Sequence, residues 1–177
     1  MIYFVRHGQT DWNLLNKCQG LVDIPINKTG EEQAKQVKES LKNINIDLCL
    51  CSPLLRARQT FKIIFDREPK KEEIDQRLIE RDLGEFEGKT RNEFDFKAFN
   101  NLDNDGNYKS AEDISSVLDR AKSLYCELEK VKDKNVLLIS HGGFGVVFCS
   151  LFLKNKEIKD FTTIEMRHGE AVELSFD

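Results

Sequence analysis

Residues 1–8 read MIYFVRHG, and residues 136–143 read VLLISHGG. In both stretches a short apolar run rich in β-forming residues precedes a His-Gly pair. A third apolar run, over residues 46–51, is followed by Ser52 and a proline. These patterns predict three buried β-strands, each of which ends at residues able to carry chemistry.

Helical patterns separate the predicted strands. Within residues 27–43, Ala34, Val37 and Leu41 recur at helical spacing, and Thr29 with Glu32 three positions later is typical of a capping box. Further helices are predicted over residues 53–65, 114–131 and 144–153. Ser52 is expected to cap the first of these, because serine followed by proline is a common helix start. Ser110 with Asp113 resembles a weak cap for the second.

Strands separated by helices imply crossover connections. We therefore expect an α/β fold, a three-layer α/β/α sandwich with a mainly parallel central sheet and helices on both faces. Shorter strands are predicted over 73–78, 162–166 and 171–176, the last of them antiparallel at an edge. Residues 82–110 lack a clear period and are interpreted as a small lid-like insertion. The whole chain, 1–177, is interpreted as a single domain.

The charge balance and the apolar content exclude several classes of protein. The 177 residues carry 27 Lys and Arg against 31 Asp and Glu, a net charge of −4, which argues against a nucleic-acid or anionic-membrane partner. No apolar run approaches the length of a membrane span, and no charged region precedes residues 1–5 as in a signal peptide. Five cysteines, an odd number, are typical of reduced thiols, so we expect a cytoplasmic protein.

The carboxyl ends of parallel strands meet at one edge of an open α/β sheet, where ligands bind. That rule brings together Arg6, His7, Arg56 and His141. Two histidines could hold a metal, but the neighbouring guanidinium groups would repel a divalent ion, and no thiolate or carboxylate is suitably spaced. Guanidinium groups instead match phosphate oxygens, and a glycine after each histidine lets backbone amides approach. A phosphate site without metal or cofactor is the better interpretation.

Four motifs and one loop carry a family resemblance. They are RHGQTDWN at 6–13, SPLLRA at 52–57, LIERDLGEFEG at 78–88, SHGG at 140–143, and the loop that holds Gln19, Gly20, Asp23 and Pro25. In order and spacing they resemble the signature of the histidine phosphatase superfamily, in its phosphoglycerate mutase-like branch. The resemblance covers nearly the whole chain and implies the phosphoglycerate mutase-like fold.

The resemblance implies a role for each matching residue. His7 would attack phosphorus, and Glu80 would protonate the leaving oxygen and later deprotonate water. Arg6, Arg56 and a protonated His141 would hold the phosphoryl oxygens. Further substrate contacts are implied for Asn13, Gln19, Gly20 and the backbone amide of Gly142.

Several other polar residues compete with these assignments or lie near them. From the residues alone, Glu85 and Glu87 compete with Glu80 for the acid role, and only the family pattern favours Glu80. Arg58 lies two positions past Arg56, so on a helix it points away and is expected to be solvated. His168 is interpreted as a surface turn residue.

Three functions fit these residues. The favoured one is a phosphatase acting on a small phosphorylated metabolite, because the segment between Glu80 and His141 is short and would leave the pocket open to water. A mutase, which returns the phosphoryl group to its substrate, is the first alternative. A phosphoprotein phosphatase or an inactive phosphate-binding module is the second, although His7 and Glu80 are both present.

Overall fold

The computed structural model describes residues 1–153 and 159–176. Its four strands are β1 (Ile2–Arg6), β2 (Leu48–Cys51), β3 (Val136–Ser140) and β4 (Ala171–Leu174). Its six α-helices are α1 (Asp11–Leu14), α2 (Lys28–Leu41), α3 (Leu55–Phe65), α4 (Phe96–Phe99), α5 (Ile114–Glu129) and α6 (Gly142–Ser150). Short 3-10 turns occupy Lys71–Glu73, Gln76–Leu78, Gly84–Phe86, Leu102–Asn104 and Phe161–Thr163.

The described strands form one sheet in the order β2-β3-β1-β4. β1 and β2 both pair parallel with β3, and β4 pairs antiparallel with β1 at the edge. The predicted mainly parallel sheet and its antiparallel last strand are confirmed.

Side chains alternate between the two faces of the sheet, as the period of a strand requires. Ile2 and Phe4 of β1 pack with α5 and α6 on one face. Tyr3 and Val5 pack with α2 and α3 on the other face. Burying both faces explains why these strands read as continuous apolar runs, and it produces the three predicted layers.

Two predicted strands are wrong. Residues 73–78 form two 3-10 turns, and Ile74 alone makes an isolated bridge to Cys51. The reason is local, since the Asp75 carboxylate accepts from the amide of Arg77 and caps the second turn. Residues 162–166 contribute only to the turn Phe161–Thr163, which the side chain of Asp160 caps through the amide of Thr162.

The helix caps also differ from those predicted. Asn27, not Thr29, caps α2, and its side-chain oxygen accepts from the amide of Gly30 at 3.0 Å. α3 starts after Leu54 with no side-chain cap. α5 starts after Asp113, but the carboxylate that accepts from its first amide nitrogen, at 2.8 Å, belongs to Asp105.

Residues 82–110 pack around a cluster of aromatic rings formed by Phe86, Phe94, Phe99 and Tyr108. Asp105 ties this segment to the start of α5. None of the helices in the two described ranges is both long and apolar enough to cross a membrane.

Candidate active site

A cavity of about 320 Å³ opens at the carboxyl ends of β1 and β3. Seven of the predicted functional residues contribute to its wall, together with the backbone at Gly142; these seven are Arg6, His7, Asn13, Gln19, Gly20, Arg56 and Glu80. His141 is not part of the cavity wall, and its ring lies next to that of His7, with ring centroids 5.2 Å apart. The topology thus brings together residues that are far apart in sequence.

The imidazole of His7 is buried, and its two nitrogens have different partners. Nδ1 lies 2.7 Å from the carbonyl oxygen of Gly8, which can only accept, so Nδ1 carries the proton. Nε2 is therefore unprotonated, and its one hydrogen-bond partner within the described residues is Nε of Arg56 at 3.3 Å. Burial and the charges of Arg56 and Arg6 hold the pKa of His7 well below 6.5. A neutral ring with a free lone pair at Nε2 can act as a nucleophile.

Gly8 allows this geometry because a β-carbon there would lie 2.4 Å from the carbonyl oxygen of Gly30 in α2. The amide of Gly8 donates to the Thr60 hydroxyl at 3.0 Å, and that hydroxyl donates to the carbonyl of Arg56. The loop after β1 is therefore fixed to both α2 and α3.

Arg56 is fully buried and has no carboxylate partner in the described ranges. Its Nη1 and Nη2 donate to the carbonyls of Val22 and Gly20, at 2.9 and 2.8 Å. Burial lowers its pKa, while the charge of Glu80 opposes that effect. The guanidinium is held rigidly by backbone oxygens, which leaves its positive charge available to an anion.

Arg6 supplies a second cation, which is partly buried. Its Nη1 donates to the carbonyl of Met166 at 2.8 Å, whereas its buried Nε has no hydrogen-bond partner among the described residues. Burial lowers its pKa to about 10, so it is charged at neutral pH. Gly142 makes room for it, because a β-carbon there would lie 3.1 Å from Cζ of Arg6. An unpartnered buried donor on a cation indicates an anionic ligand.

His141 is fully buried, with Nε2 2.6 Å from Oγ of Ser52. Nδ1 is buried and has no partner in the described part of the chain. Burial and the charge of Arg56 lower its pKa well below 6.5. The neighbouring guanidiniums disfavour another positive charge, so a neutral His141 ring is favoured over the expected protonated one.

The N-terminus of α6 holds the carboxylate of Glu80. Oε2 accepts from the amide of Gly143 at 3.0 Å, and Oε1 accepts from the amides of Phe144 and Arg81 at 2.9 Å each. Helix N-termini stabilise negative groups in this way. The carboxylate lines the same cavity as Nε2 of His7, where it can exchange a proton with a bound molecule.

Asn13 and Gln19 lie on the loops around the cavity. The side-chain oxygen of Asn13 accepts from the amide of Thr10 in a capping box at the start of α1, which leaves its NH₂ group as a donor. Gln19 is buried, and its side-chain oxygen has no partner within the described ranges. Both side chains thus have hydrogen-bonding capacity that a ligand could use.

The competing residues lie elsewhere. Glu85 is exposed and bonded to the Ser110 hydroxyl, and Glu87 accepts from the amide of Leu21. Neither lines the cavity. Arg58 is exposed beside Glu68, which agrees with its predicted solvated position.

Four basic residues at the site had no functional role predicted from the sequence. Lys17, Arg81 and Arg91 line the cavity, and His168 contacts His7. The interpretation of His168 as a surface turn residue is wrong, because it is partly buried and its Nδ1 lies 2.5 Å from the carbonyl oxygen of His7. These residues lie in segments without periodic patterns, so only the loop packing brings them to the cavity. Among residues 1–153 and 159–176, no cluster of three or more metal-ligating side chains is found.

Comparisons with known proteins agree with this geometry. The sequence model of the histidine phosphatase superfamily (branch 1) matches residues 2–177. The uncharacterized phosphatase PhoE of Bacillus subtilis (strain 168) is 37% identical over 144 residues, covering 80% of this chain and 71% of that protein. The probable phosphoglycerate mutase GpmB of Citrobacter koseri is 34% identical over 148 residues, covering 80% of this chain and 69% of that protein. The phosphoserine phosphatase of Entamoeba histolytica, solved with 3-phosphoglyceric acid, matches with a TM-score of 0.79 and 26% identity, covering 96% of this chain and 87% of that one.

Proposed function

Because this chain belongs to branch 1 of the histidine phosphatase superfamily, we propose that it is a metal-independent phosphomonoesterase acting on small phosphorylated metabolites. The observation that carries the proposal is the environment of Nε2 of His7. This unprotonated nitrogen contacts the guanidinium of Arg56 and lies in a cavity that Arg6 also lines, and within the described residues neither guanidinium is paired with a carboxylate. A phosphoryl group placed there would meet a nucleophile and the charge that its transition state requires.

In the first half-reaction, the lone pair on Nε2 of His7 attacks phosphorus and the ester P–O bond breaks. Glu80 enters this step as the carboxylic acid, a form that the charge of the bound phosphate favours, gives its proton to the leaving oxygen and becomes the carboxylate. The proton on Nδ1 stays on the ring and remains hydrogen-bonded to the carbonyl oxygen of Gly8. This hydrogen bond stabilises the positive charge that develops on the imidazole.

In the second half-reaction, the Glu80 carboxylate takes a proton from water while the water oxygen attacks phosphorus. The P–N bond then breaks, which releases inorganic phosphate and restores the neutral ring. Arg6 and Arg56 bind the equatorial oxygens in both steps, and Nδ1 of His141 and the NH₂ group of Asn13 are further donors to them.

The cavity supports a small substrate, since about 320 Å³ lies at the lower end of the usual range for ligand pockets. Lys17 and Arg91 line its outer part and contact the rings of Trp12 and Phe96, but neither forms an ion pair with a described carboxylate. Their charges favour phosphomonoesters with a further acidic group. The 3-phosphoglyceric acid bound by the Entamoeba neighbour is an ester of that kind.

Phosphoglycerate mutase activity is the second candidate, favoured by the similarity to GpmB. Exposed side chains of Arg91, Thr162 and Glu165 form part of the cavity wall, so water can reach a phosphohistidine. Hydrolysis of the phosphohistidine is therefore expected to be faster than transfer of the phosphoryl group back to the substrate.

The test is incubation of the purified protein with p-nitrophenyl phosphate, phosphoserine and 2- or 3-phosphoglycerate, with inorganic phosphate and phosphoglycerate isomers both measured. We expect phosphate release and an acid-labile phosphoenzyme, both abolished in His7→Ala and both kept in the solvent-exposed control Arg58→Gln. Interconversion of the phosphoglycerates without phosphate release would establish the mutase, and full turnover by His7→Ala would exclude a phosphohistidine.

A further inference from the structure

His168 touches both the backbone and the ring of His7. Its Nδ1 lies 2.5 Å from the carbonyl oxygen of His7, and the two ring centroids are 5.4 Å apart at an interplanar angle of 63°. It does not line the cavity, and its Nδ1 is already bonded to the His7 carbonyl, so this nitrogen is not available to a phosphoryl group.

The contact fixes which nitrogen of His168 is protonated. A carbonyl oxygen can only accept, so Nδ1 donates and Nε2 is unprotonated in the neutral ring. Burial, with a smaller contribution from the charge of Arg6, lowers the pKa of His168 to about 4. Near neutral pH the ring is therefore an uncharged donor and adds no positive charge beside His7.

The peptide groups of His7 are held on two sides. Its amide donates to the carbonyl of Ser140 in β3 at 2.9 Å, and its carbonyl accepts from His168. Its ring contacts two other imidazoles, with centroid distances of 5.2 Å to His141 and 5.4 Å to His168. A change of His7 rotamer would have to displace one of these neighbours.

The segment that carries His168 also holds Arg6, because the carbonyl of Met166 accepts from Nη1 of that arginine. The segment is anchored on both sides of His168. Met166 is buried against α6, with its sulfur 3.9 Å from Sγ of Cys149. Gly169 has a φ of +79° and packs closely against Gln33 in α2. A β-carbon at position 169 would lie 3.2 Å from the side chain of Gln33.

From these contacts we infer that His168 is a positioning residue for the nucleophile. Through its hydrogen bond to the His7 carbonyl and its ring edge against the imidazole, it keeps Nε2 of His7 directed at phosphorus. The inference rests on the proposed function, because it takes His7 as the nucleophile. We therefore expect His168 to affect the rate of phosphohistidine formation and not the affinity for phosphate.

Three variants separate the hydrogen bond from the packing. In His168→Asn, the amide Nδ2 takes the place of the imidazole Nδ1 at the same number of bonds from the backbone. His168→Leu has the same branching without a donor, and His168→Phe keeps a ring without a donor. The measurements are the burst rate of phosphohistidine formation from 2,4-dinitrophenyl phosphate, the inhibition constant of inorganic phosphate, and the melting temperature.

We expect His168→Leu and His168→Phe to slow the burst by about tenfold or more, because a small misplacement of a reacting atom has a large effect on rate. His168→Asn should keep the burst within about threefold of the wild type, and the inhibition constant of phosphate should change little in all three. Equal burst rates in folded Asn, Leu and Phe variants would overturn the inference. A phosphate affinity that falls in parallel with the burst would also overturn it.

Wild-type protein provides a measurement that does not depend on folding of a variant. The chain has 3 histidines, so long-range ¹H–¹⁵N spectra resolve each ring. At neutral pH we expect Nδ1–H tautomers for both His7 and His168, and a shift of the His168 signals when His7 is phosphorylated. An Nε2–H tautomer at His168 would contradict the inference and leave the proposed function intact, whereas a wild-type protein that forms no phosphohistidine would refute the function itself.

Discussion

Oγ of Ser52 lies 2.6 Å from Nε2 of His141 and 3.4 Å from the amide nitrogen of Leu54. The hydroxyl oxygen accepts from the Leu54 amide, and among the described residues Nε2 of His141 is the one acceptor within reach of the hydroxyl proton, so the hydroxyl donates to the imidazole. Nε2 of the neutral His141 is then the acceptor, so Nδ1 carries the proton. Ser52 thus leaves Nδ1 of an uncharged His141 as an unpartnered donor, which the proposed function assigns to the phosphoryl group.

Replacing Ser52 by alanine removes this control of the tautomer. We expect Ser52→Ala to weaken inhibition by inorganic phosphate and to lower kcat/KM by about tenfold, the effect of one lost hydrogen bond to a charged group. The melting temperature and steady-state kinetics with p-nitrophenyl phosphate provide the measurement. Wild-type phosphate affinity in the alanine variant would show that Ser52 does not set the tautomer.

Glu80→Gln keeps the size of the side chain and removes its proton exchange. We expect phosphate binding to be retained, while esters with poor leaving groups lose about 10²–10⁴-fold in rate and activated aryl esters lose far less. The comparison is between phosphoserine and 2,4-dinitrophenyl phosphate, with Glu85→Gln as a matched control outside the cavity. A similar loss for both esters would remove Glu80 from the acid role.

Much of the fold could be predicted because strand and helix periods are local properties of the sequence. The buried strands that end at Arg6, Cys51 and Ser140 read as apolar runs, and the carboxyl-end rule then places their following residues at one edge. The assignment of Glu80 could not come from periodicity. It required the family pattern, since Glu85 and Glu87 are chemically equivalent to it.

The rest depended on contacts between segments that have no period. Ser52 resembles a helix cap in sequence, but its hydroxyl is bonded to a histidine far along the chain. His168 precedes Gly169, a pattern typical of a surface turn, yet its segment packs beside β1. Arg91 is brought to the cavity because Thr90 forms an isolated bridge with Lys17. Such long-range contacts leave no local signal.

A substitution at Gly143 would show how precisely the carboxylate of Glu80 must be positioned. A β-carbon at this position would lie 2.6 Å from Oε1 of Glu80, and that carboxylate is already fixed by three backbone amides. We therefore expect Gly143→Ala to displace the carboxylate and to reproduce the leaving-group dependence of Glu80→Gln in weaker form. Hydrolysis of phosphoserine and of 2,4-dinitrophenyl phosphate should be measured side by side, and unchanged rates for both would show that the carboxylate can shift without loss.

The lowered pKa of His168 predicts an acid-sensitive contribution to stability. Its folded value is about 4 and its unfolded value is about 6.5, so the unfolded chain binds more protons between these limits. The free energy of unfolding therefore contains a contribution that is complete above pH 6.5 and is lost as the pH falls to about 4. Urea unfolding from pH 7 to pH 4 should show a shallower decline in His168→Asn than in the wild type. Parallel curves would mean that His168 is not neutral and buried in the folded state.

Arg120 holds the backbone that leads into Glu80. Its Nη1 donates to the carbonyls of Arg77 and Ile79 at 2.7 Å each, its Nε donates to Glu112 at 2.9 Å, and its guanidinium lies over the ring of Phe144. Arg120→Met would leave two carbonyls and a partly buried carboxylate without their donor.

We expect Arg120→Met to lower the free energy of unfolding by about 2–4 kcal/mol, because breaking one side of a largely buried ion pair leaves the other side desolvated. The exposed pair of Lys35 and Glu32 is the control, and Lys35→Gln should change the free energy of unfolding by less than about 0.5 kcal/mol. Chemical denaturation of both variants measures the difference. Equal stabilities would mean that water replaces Arg120 at both carbonyls.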